Sequence, residues 1–335
     1  TGSLLEALPY HIKHFISCYV VEPNGDNAEI LRSKGYLAEE MTFEEFTNTV
    51  LKKVEEHMGE EQTVYLHPVH KNNGITYQGL IIYDQVVNMH PTIYLDSYYD
   101  KYSNGVSMEK IIDDIITTYQ KSKVTKDFDI STFTDFEKVK EKIIMKLVNA
   151  EMNAELLEQI PHKIMGDLAV IYNVAVQEIK NEYATILIYN EHLKLWGINA
   201  EELHEFATEN TPKILPYRFE NLAYVLEKWL GNSSSIDLDI NMYMLTNKVK
   251  INGAVVMLYP NMLEKIRSFL EDNLIIIPSS VHEVIILTEQ EAKTEDTIEE
   301  LNETIRYVND IEVEGDEILS NHAYIFDGTD LKMLD

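Results

Sequence analysis

Only one cysteine stands in the chain, Cys18, and this excludes an internal disulfide and a cysteine-based zinc site. It also suits a reducing, cytoplasmic setting. Glycine is thin, 13 in 335 residues and never clustered. The glycine-rich phosphate loops G-x-x-x-x-G-K-[ST] and G-x-G-x-x-G are absent, and so is the G-x-S-x-G nucleophile elbow. Basic residues are outnumbered 28 to 57 by acidic ones, a formal charge of −29. Neutralising phosphates takes a surplus of Lys and Arg, so direct nucleic-acid binding and adhesion to an anionic membrane are both excluded. Apolar runs stay short. Leu274 to Ile277 and Val284 to Leu287 have strand length, far from the ~20 residues of a membrane span.

What is present is a folded chain. Hydrophobic residues make up 45% and aromatics 10%, too much for a disordered acidic tail. The length predicts about two lobes. Thr1-Gly2-Ser3 lacks an initiator Met and a basic start, so a tag scar or a cut end is expected there and not a signal peptide. Met41 directly precedes a strong helix signal and is a plausible domain start. Residues 1–40 are then an upstream or added segment, with Leu4 to Val21 a docking helix or strand. The expected organisation is 1–40, a first lobe over 41–160 and a second over 161–335.

In the first lobe, Thr42 and Glu45 form a capping box before a helix from about 43 to 58. Thr63 to His70 and Ile75 to Tyr83 form a hairpin around Asn72-Asn73-Gly74, and 91–95 adds a third strand. Helices are predicted from Ser107 through Tyr119, over Asp135 to Asn149 and over 151–158. In the second lobe, strands are predicted over 167–175 and 184–189, and a helical turn over 191–196 is stopped by Gly197. A helix capped by Asn199 ends before Pro212, another runs from Phe219 to Leu230, and 232–235 is a loop. Strands follow at 243–246 and 254–258. Helix 261–271 has Met262, Ile266, Phe269 and Leu270 facing inward. Strands 274–277 and 282–287, an acidic helix over 294–309 striped by Ile298, Leu301, Ile305 and Val308, and a strand at 323–326 complete the chain. Strands come in adjacent pairs with short connections, which implies an α+β fold of two lobes, with mixed or antiparallel sheets and helices packed on them.

Metal patterns fail on spacing. His67 and His70 point to opposite faces of a strand. His204-Glu205 and His282-Glu283 begin like a zincin, but Thr208 and Ile286 stand where the second His belongs. Asp237-Leu238-Asp239 lacks the Gly and Glu of a calcium loop, and Asp127-Phe128-Asp129 fails similarly. No metal and no cofactor are expected. Two segments gather polar and titratable groups at strand ends. One holds Asn190, His192 and Trp196, and its plain reading is a helix start with Trp196 filling the core. The other pairs Asn247 and Lys248 with Ser280, His282 and Glu283, where a serine near a histidine suggests a nucleophile and base. Its plain reading is a serine-rich turn with a half-buried histidine. These eight residues are the candidate binding set. Residues 270–335 carry 3 basic and 18 acidic residues, a net of −15. That charge suits solubility, a docking face for a basic partner, or mimicry of a phosphate backbone.

Several segments resemble an uncharacterised bacterial domain-of-unknown-function family common in anaerobic gut bacteria and their mobile elements. They are Met41 to Phe46, Asn72-Asn73-Gly74, Pro91 to Leu95, Thr134 to Lys140, Asn190 to Gly197, Thr246-Asn247-Lys248 with Gly253-Ala254, and Pro278 to Val284. The likeness covers about 41–330. The second lobe also resembles the YtpQ-like group in its helix, strand, helix and proline-rimmed strand pair. The resemblance implies a bacterial cytoplasmic protein and transfers no catalytic residue. The expected function is a non-enzymatic protein-binding module. Two alternatives stay open: an acidic nucleic-acid mimic that acts as an inhibitor, and a hydrolase with a cleft between lobes using His192, Asn247, Ser280 or His282.

Overall fold

The structure, a computed structural model, describes residues 41–84, 90–122, 133–179, 182–225, 241–295 and 298–334. The segment expected to dock over Leu4 to Val21, the loop 232–235 and the acidic turns begun by Asp127 and Asp237 lie outside these residues. The chain is α+β, and the three sheets of its described residues are antiparallel throughout. Described residues up to 122 form one compact unit and those from 133 onward form another.

In the first unit, α1 (Phe43–Glu55) opens on the expected capping box. The Thr42 N–H donates to Glu45 Oε2 at 2.9 Å, and the Glu45 N–H donates to Thr42 Oγ1 at 3.3 Å. Strand β1 (Gln62–His70) pairs with β2 (Thr76–Asp84) around a turn in which Asn73 and Gly74 take positive φ, 59° and 69°. A short strand β3 (Thr92–Tyr94) pairs with β2. After α2 (Asp96–Ser103), α3 (Met108–Ser122) buries Ile111, Ile112, Ile115 and Tyr119. These side chains meet Phe46, Val50 and Val54 of α1 and Leu80 and Ile82 of β2 in one core.

The second unit begins with a correction. The helix expected over 135–149 stops at α4 (Phe136–Val139). After a 3-10 turn, the chain extends into β4 (Ile143–Asn149). A short apolar run fits either periodicity, and burial on both faces decides it. Ile143, Met145 and Leu147 enter the main core, while Ile144 and Val148 join smaller clusters on the other side. Strand β4 pairs along its whole length with β6 (Leu168–Ile179), so the lobe boundary expected at 160/161 falls inside this sheet. Helix α5 (Ala154–Leu157) and strand β5 (His162–Met165) lie between them in sequence, and β7 (Glu182–Leu187) also pairs with β6.

Helix α6 (Asn190–Trp196) ends at Gly197, which takes φ 70°. Helix α7 (Ala200–Ile214) continues through Pro212 instead of ending before it. Pro212 stands two residues from the end of the helix and gives up one i→i−4 hydrogen bond there. One residue earlier, Thr211 Oγ1 accepts the Met145 N–H at 2.9 Å and so ties α7 to β4.

Six strands complete the unit: β8 (Tyr217–Asn221), β9 (Tyr243–Asn247), β10 (Leu274–Ile277), β11 (Val284–Thr288), β12 (Tyr324–Phe326) and β13 (Leu331–Met333). Their order is β13-β12-β10-β11-β9-β8. The first of them, β8, stands in place of the helix start expected at Phe219, and Tyr217 to Glu220 alternate aromatic and charged side chains with a period of two. The strand expected over 254–258 is a buried 3-10 helix, Gly253–Leu258. Helix α8 (Met262–Leu270) buries Met262 and Ile266, but Phe269 is 68% exposed instead of facing inward.

The acidic segment forms α9 (Glu289–Glu295) and α10 (Ile298–Glu312). Its inward stripe differs from the expected one. Ile298 is 47% exposed, while Asn302, Ile305 and Asn309 are buried. Asn302 accepts the Ala323 N–H and donates to Leu334 O, both at 2.9 Å, and Asn309 donates to Ser320 O at 2.9 Å. Two amides thus fasten the helix to the ends of the β12–β13 hairpin, which apolar periodicity cannot reveal.

Candidate functional site

The first candidate group sits on α6. Trp196 is buried, its Nε1–H donates to Phe133 O at 3.0 Å, and its ring packs edge-on against Phe133. His192 lies against both rings. Its Nδ1 accepts the Tyr189 N–H at 2.9 Å and serves as the cap of α6. Burial holds this imidazole below its usual pKa, which matches its role as an acceptor. Asn190 Nδ2 donates to Glu158 O at 3.3 Å. All three residues hold the strand-to-helix junction together.

The second group forms where the end of β9, the start of the 3-10 helix and the β10–β11 turn converge. Gly253 makes this approach possible. A Cβ there would lie 2.2 Å from Thr246 Oγ1 and 2.5 Å from His282 O. Thr246 Oγ1 donates to His282 O at 2.7 Å, and Asn247 Nδ2 donates to Ile251 O at 2.8 Å. Asn247 Oδ1 is buried with no hydrogen-bond partner among the described residues. Ser280 Oγ accepts the His282 N–H at 3.0 Å. The His282 ring is held at both nitrogens. Nδ1 accepts the Asn252 N–H at 3.1 Å, and Nε2 lies 3.2 Å from Glu317 Oε1.

Electrostatics follow from this packing. Burial, helped by Glu317, pushes the Glu283 carboxyl up to about 7, against the pull of His282, Lys250 and the Ser280 hydroxyl. Burial also pulls His282 down, but the hydrogen bond and charge of Glu317, with Glu283 and Asp316 behind it, set the imidazole above its usual value. Lys248 is exposed, and its N–H donates to Pro216 O at 2.9 Å; Lys250 is the lysine that acts on Glu283. The structure therefore brings Asn247, Ser280, His282 and Glu283 together and leaves the Lys248 side chain at the surface. The contacts of this group and those of the α6 group share no residue. As chemistry, the cluster can hold a proton, and its serine hydroxyl bonds to the Glu283 carboxyl, not to His282. Ser280 is fully buried, and neither ring nitrogen of His282 is bonded to its hydroxyl.

A third cluster lies outside the sequence reading. Asp167 Oδ2 accepts from Ser320 Oγ at 2.7 Å and lies 3.1 Å from His322 Nδ1, while its Oδ1 accepts from the Tyr324 hydroxyl. The His322 N–H donates to Ser320 Oγ at 2.9 Å. A sequence signal existed, since Ser320-x-His322 repeats the spacing of Ser280-x-His282 just before a strand. Its acidic partner, 153 residues earlier, had none.

Aromatic side chains form a shelf at the β8 edge of the six-stranded sheet. Tyr217, Phe219, Met262, Lys265, Ile266 and Phe269 line a shallow groove. Phe219 stacks on Tyr243 at 5.0 Å, and Phe269 stands edge-on to both at 6.3 Å. Tyr217 is 53% exposed.

Among the described residues, no three His, Cys, Asp or Glu side chains converge as a metal site, and no helix is long and apolar enough to cross a membrane. His70 of the tested histidine pair bonds instead to Thr76 Oγ1, at 2.9 Å. No curated protein and no solved structure gives a significant match to this chain. A family profile matches residues 43–328, and the chain belongs to the Family of unknown function (DUF5688).

Proposed function

We propose that this chain is a protein-binding module whose docking surface is the aromatic shelf beside β8. The observation that carries the reading is the joint exposure of Phe269 and Tyr217 on one apolar groove at a sheet edge. Soluble proteins seldom leave contiguous aromatic surface open without a partner to cover it, and exposed sheet edges are recurrent sites of strand addition. The polar clusters support the same reading, because Ser280 is sealed and His282 is occupied at both nitrogens. The acidic surplus supports it over mimicry of a phosphate backbone. Several carboxylates in 270–335 are engaged by neighbouring groups of the chain. Glu317 faces His282, Glu291 accepts from Thr288, Asp272 accepts from the Gln290 N–H, and Asp327 holds Thr329 and Lys332.

A photo-reactive residue tests this at position 269 and, as a control, at position 195, where Leu195 is also exposed. A specific cross-link from 269, absent from 195 and lost with Tyr217→Asp, is the expected result. Equal yields at both positions, or none at either, overturn it.

A further inference from the structure

We propose that the occupant of this surface is a second copy of the chain, joined by antiparallel pairing of β8 with the partner's β8 about a two-fold axis at Phe219. The inference rests on the binding-module reading and names its partner.

Among the described residues, β8 pairs only with β9. The register matches Tyr217 with Asn247 and Asn221 with Tyr243. At its two ends the Lys248 N–H donates to Pro216 O and the Leu222 N–H donates to Met242 O, both at 2.9 Å. Hydrogen-bonded pairs recur at every second residue of an antiparallel ladder. The main-chain groups of Arg218 and Glu220 therefore face β9, and those of Tyr217 and Phe219 face away from it. The side chains alternate too. Tyr217 and Phe219 lie on the α8 face with Met262 and Ile266, so Arg218 and Glu220 occupy the opposite face.

A two-fold partner that matches outward groups with outward groups over at least three residues of β8 is centred on residue 218, 219 or 220. Centring on 218 sets Arg218 against its own copy, and centring on 220 does the same to Glu220. Like charges directly opposite are destabilising. Centring on 219 sets Arg218 opposite the partner's Glu220 twice over. It also sets Phe219 against its own copy on the apolar face, with Phe269 at the rim of the joint. Such self-complementarity is what a two-fold interface requires. Within one chain the two residues already pair, with Arg218 Nη2 2.8 Å from Glu220 Oε1, so the charges stand ready on that face.

The test is sedimentation velocity on the full chain with Arg218→Glu, Glu220→Arg, their equimolar mixture and the double variant. Wild type should sediment as a dimer. Each single reversal sets like charges together twice and should raise the dimer dissociation constant at least tenfold. The mixture and the double variant restore opposite charges and should return it to near the wild-type value. The double variant also serves as the folding control, with thermal melting as its readout. A wild-type chain that stays monomeric at ~100 μM, well above the range of ordinary specific dimers, overturns the inference. Single variants that dimerise like wild type, or a mixture that stays monomeric, overturn the register and with it the inference. The cross-link from position 269 separates this failure from that of the parent reading. A product of twice the chain mass supports self-pairing. A product with a different protein overturns self-pairing and keeps the binding module, and no product overturns both.

Discussion

Two turns of the second unit share a local design and differ in their chemistry. Ser280-Val281-His282 precedes β11, and Ser320-Asn321-His322 precedes β12. In each, the serine is fully buried and its Oγ accepts the histidine N–H, at 3.0 and 2.9 Å. Around the first turn, Glu283 follows His282 directly, tertiary packing adds Glu317 and Lys250, and the buried Glu283 carboxyl is left protonated up to about pH 7. Around the second, packing places one aspartate that receives Ser320, His322 and Tyr324 together. The three-residue motif fixes the turn. Burial of the glutamate that follows the first turn, and the aspartate that reaches the second from elsewhere in the chain, fix whether the turn stores a proton or ties two sheets together.

The largest expected effect separates the two turns by their glycines. Gly253→Ala should cost about 3 kcal/mol in urea unfolding, because its Cβ would meet backbone at 2.5 Å and no flexible side chain can yield there. Gly166→Ala, beside the second turn, should cost about 1–2 kcal/mol. Its φ of 61° is strained for alanine, but the Cβ would approach the Tyr324 hydroxyl only to 3.0 Å. Equal costs would break the contrast.

pH should sharpen it. Glu283 keeps its proton to about 7 in the folded chain and releases it near 4.5 once unfolded. Across that window unfolding releases a proton, so stability falls as pH rises, by about 3 kcal/mol at ~1.4 kcal/mol per pKa unit. His282, also raised, acts with the same sign: its contribution is full below its ordinary value and is lost as pH climbs through the folded one. Glu283→Gln should remove most of the slope and be the more stable protein at pH 8. Unfolding curves from pH 4 to 8 check this, and parallel slopes for the two proteins would count against a proton held at Glu283.

At the second turn, Asp167→Asn should cost about 2 kcal/mol, the range for losing hydrogen bonds to a charged acceptor. The smallest effects should come from Ser280→Ala and Ser320→Ala, each about 1–2 kcal/mol by thermal melting, since each removes a bond to a carboxyl group and leaves one histidine N–H without its acceptor. Near-equal losses are expected there, because the serine is the part the two turns share.

Legibility in the sequence followed the range of the interaction. The capping boxes at Thr42 and Asn199, the Asn73-Gly74 hairpin and the stop at Gly197 were readable, because each is closed by residues within a few positions. Elements with a solvated face, such as α1 and α3, were readable from their periodicity. Segments buried on every side were not. Ile143–Asn149 and Gly253–Leu258 are both nearly continuous apolar runs, and one became a strand and the other a 3-10 helix. The candidate set was half legible in the same sense. Asn247, Ser280, His282 and Glu283 do meet, yet Glu317, Asn252 and Gly253, which decide what the group can do, carried no local mark. Asp167 and Tyr324 carried none either.

By itself the sequence determined the class of this protein: an α+β chain with short antiparallel connections, locally capped helices and a large acidic surplus. These properties depend on composition, period and spacing within a few residues. Only the tertiary structure decided which strand ends the six-stranded sheet of the described residues, that Phe269 faces outward, and that two similar Ser-x-His turns receive different acidic partners. Those outcomes depend on which distant segments pack together, and burial and charge at such contacts are properties of the pair of segments, not of either one.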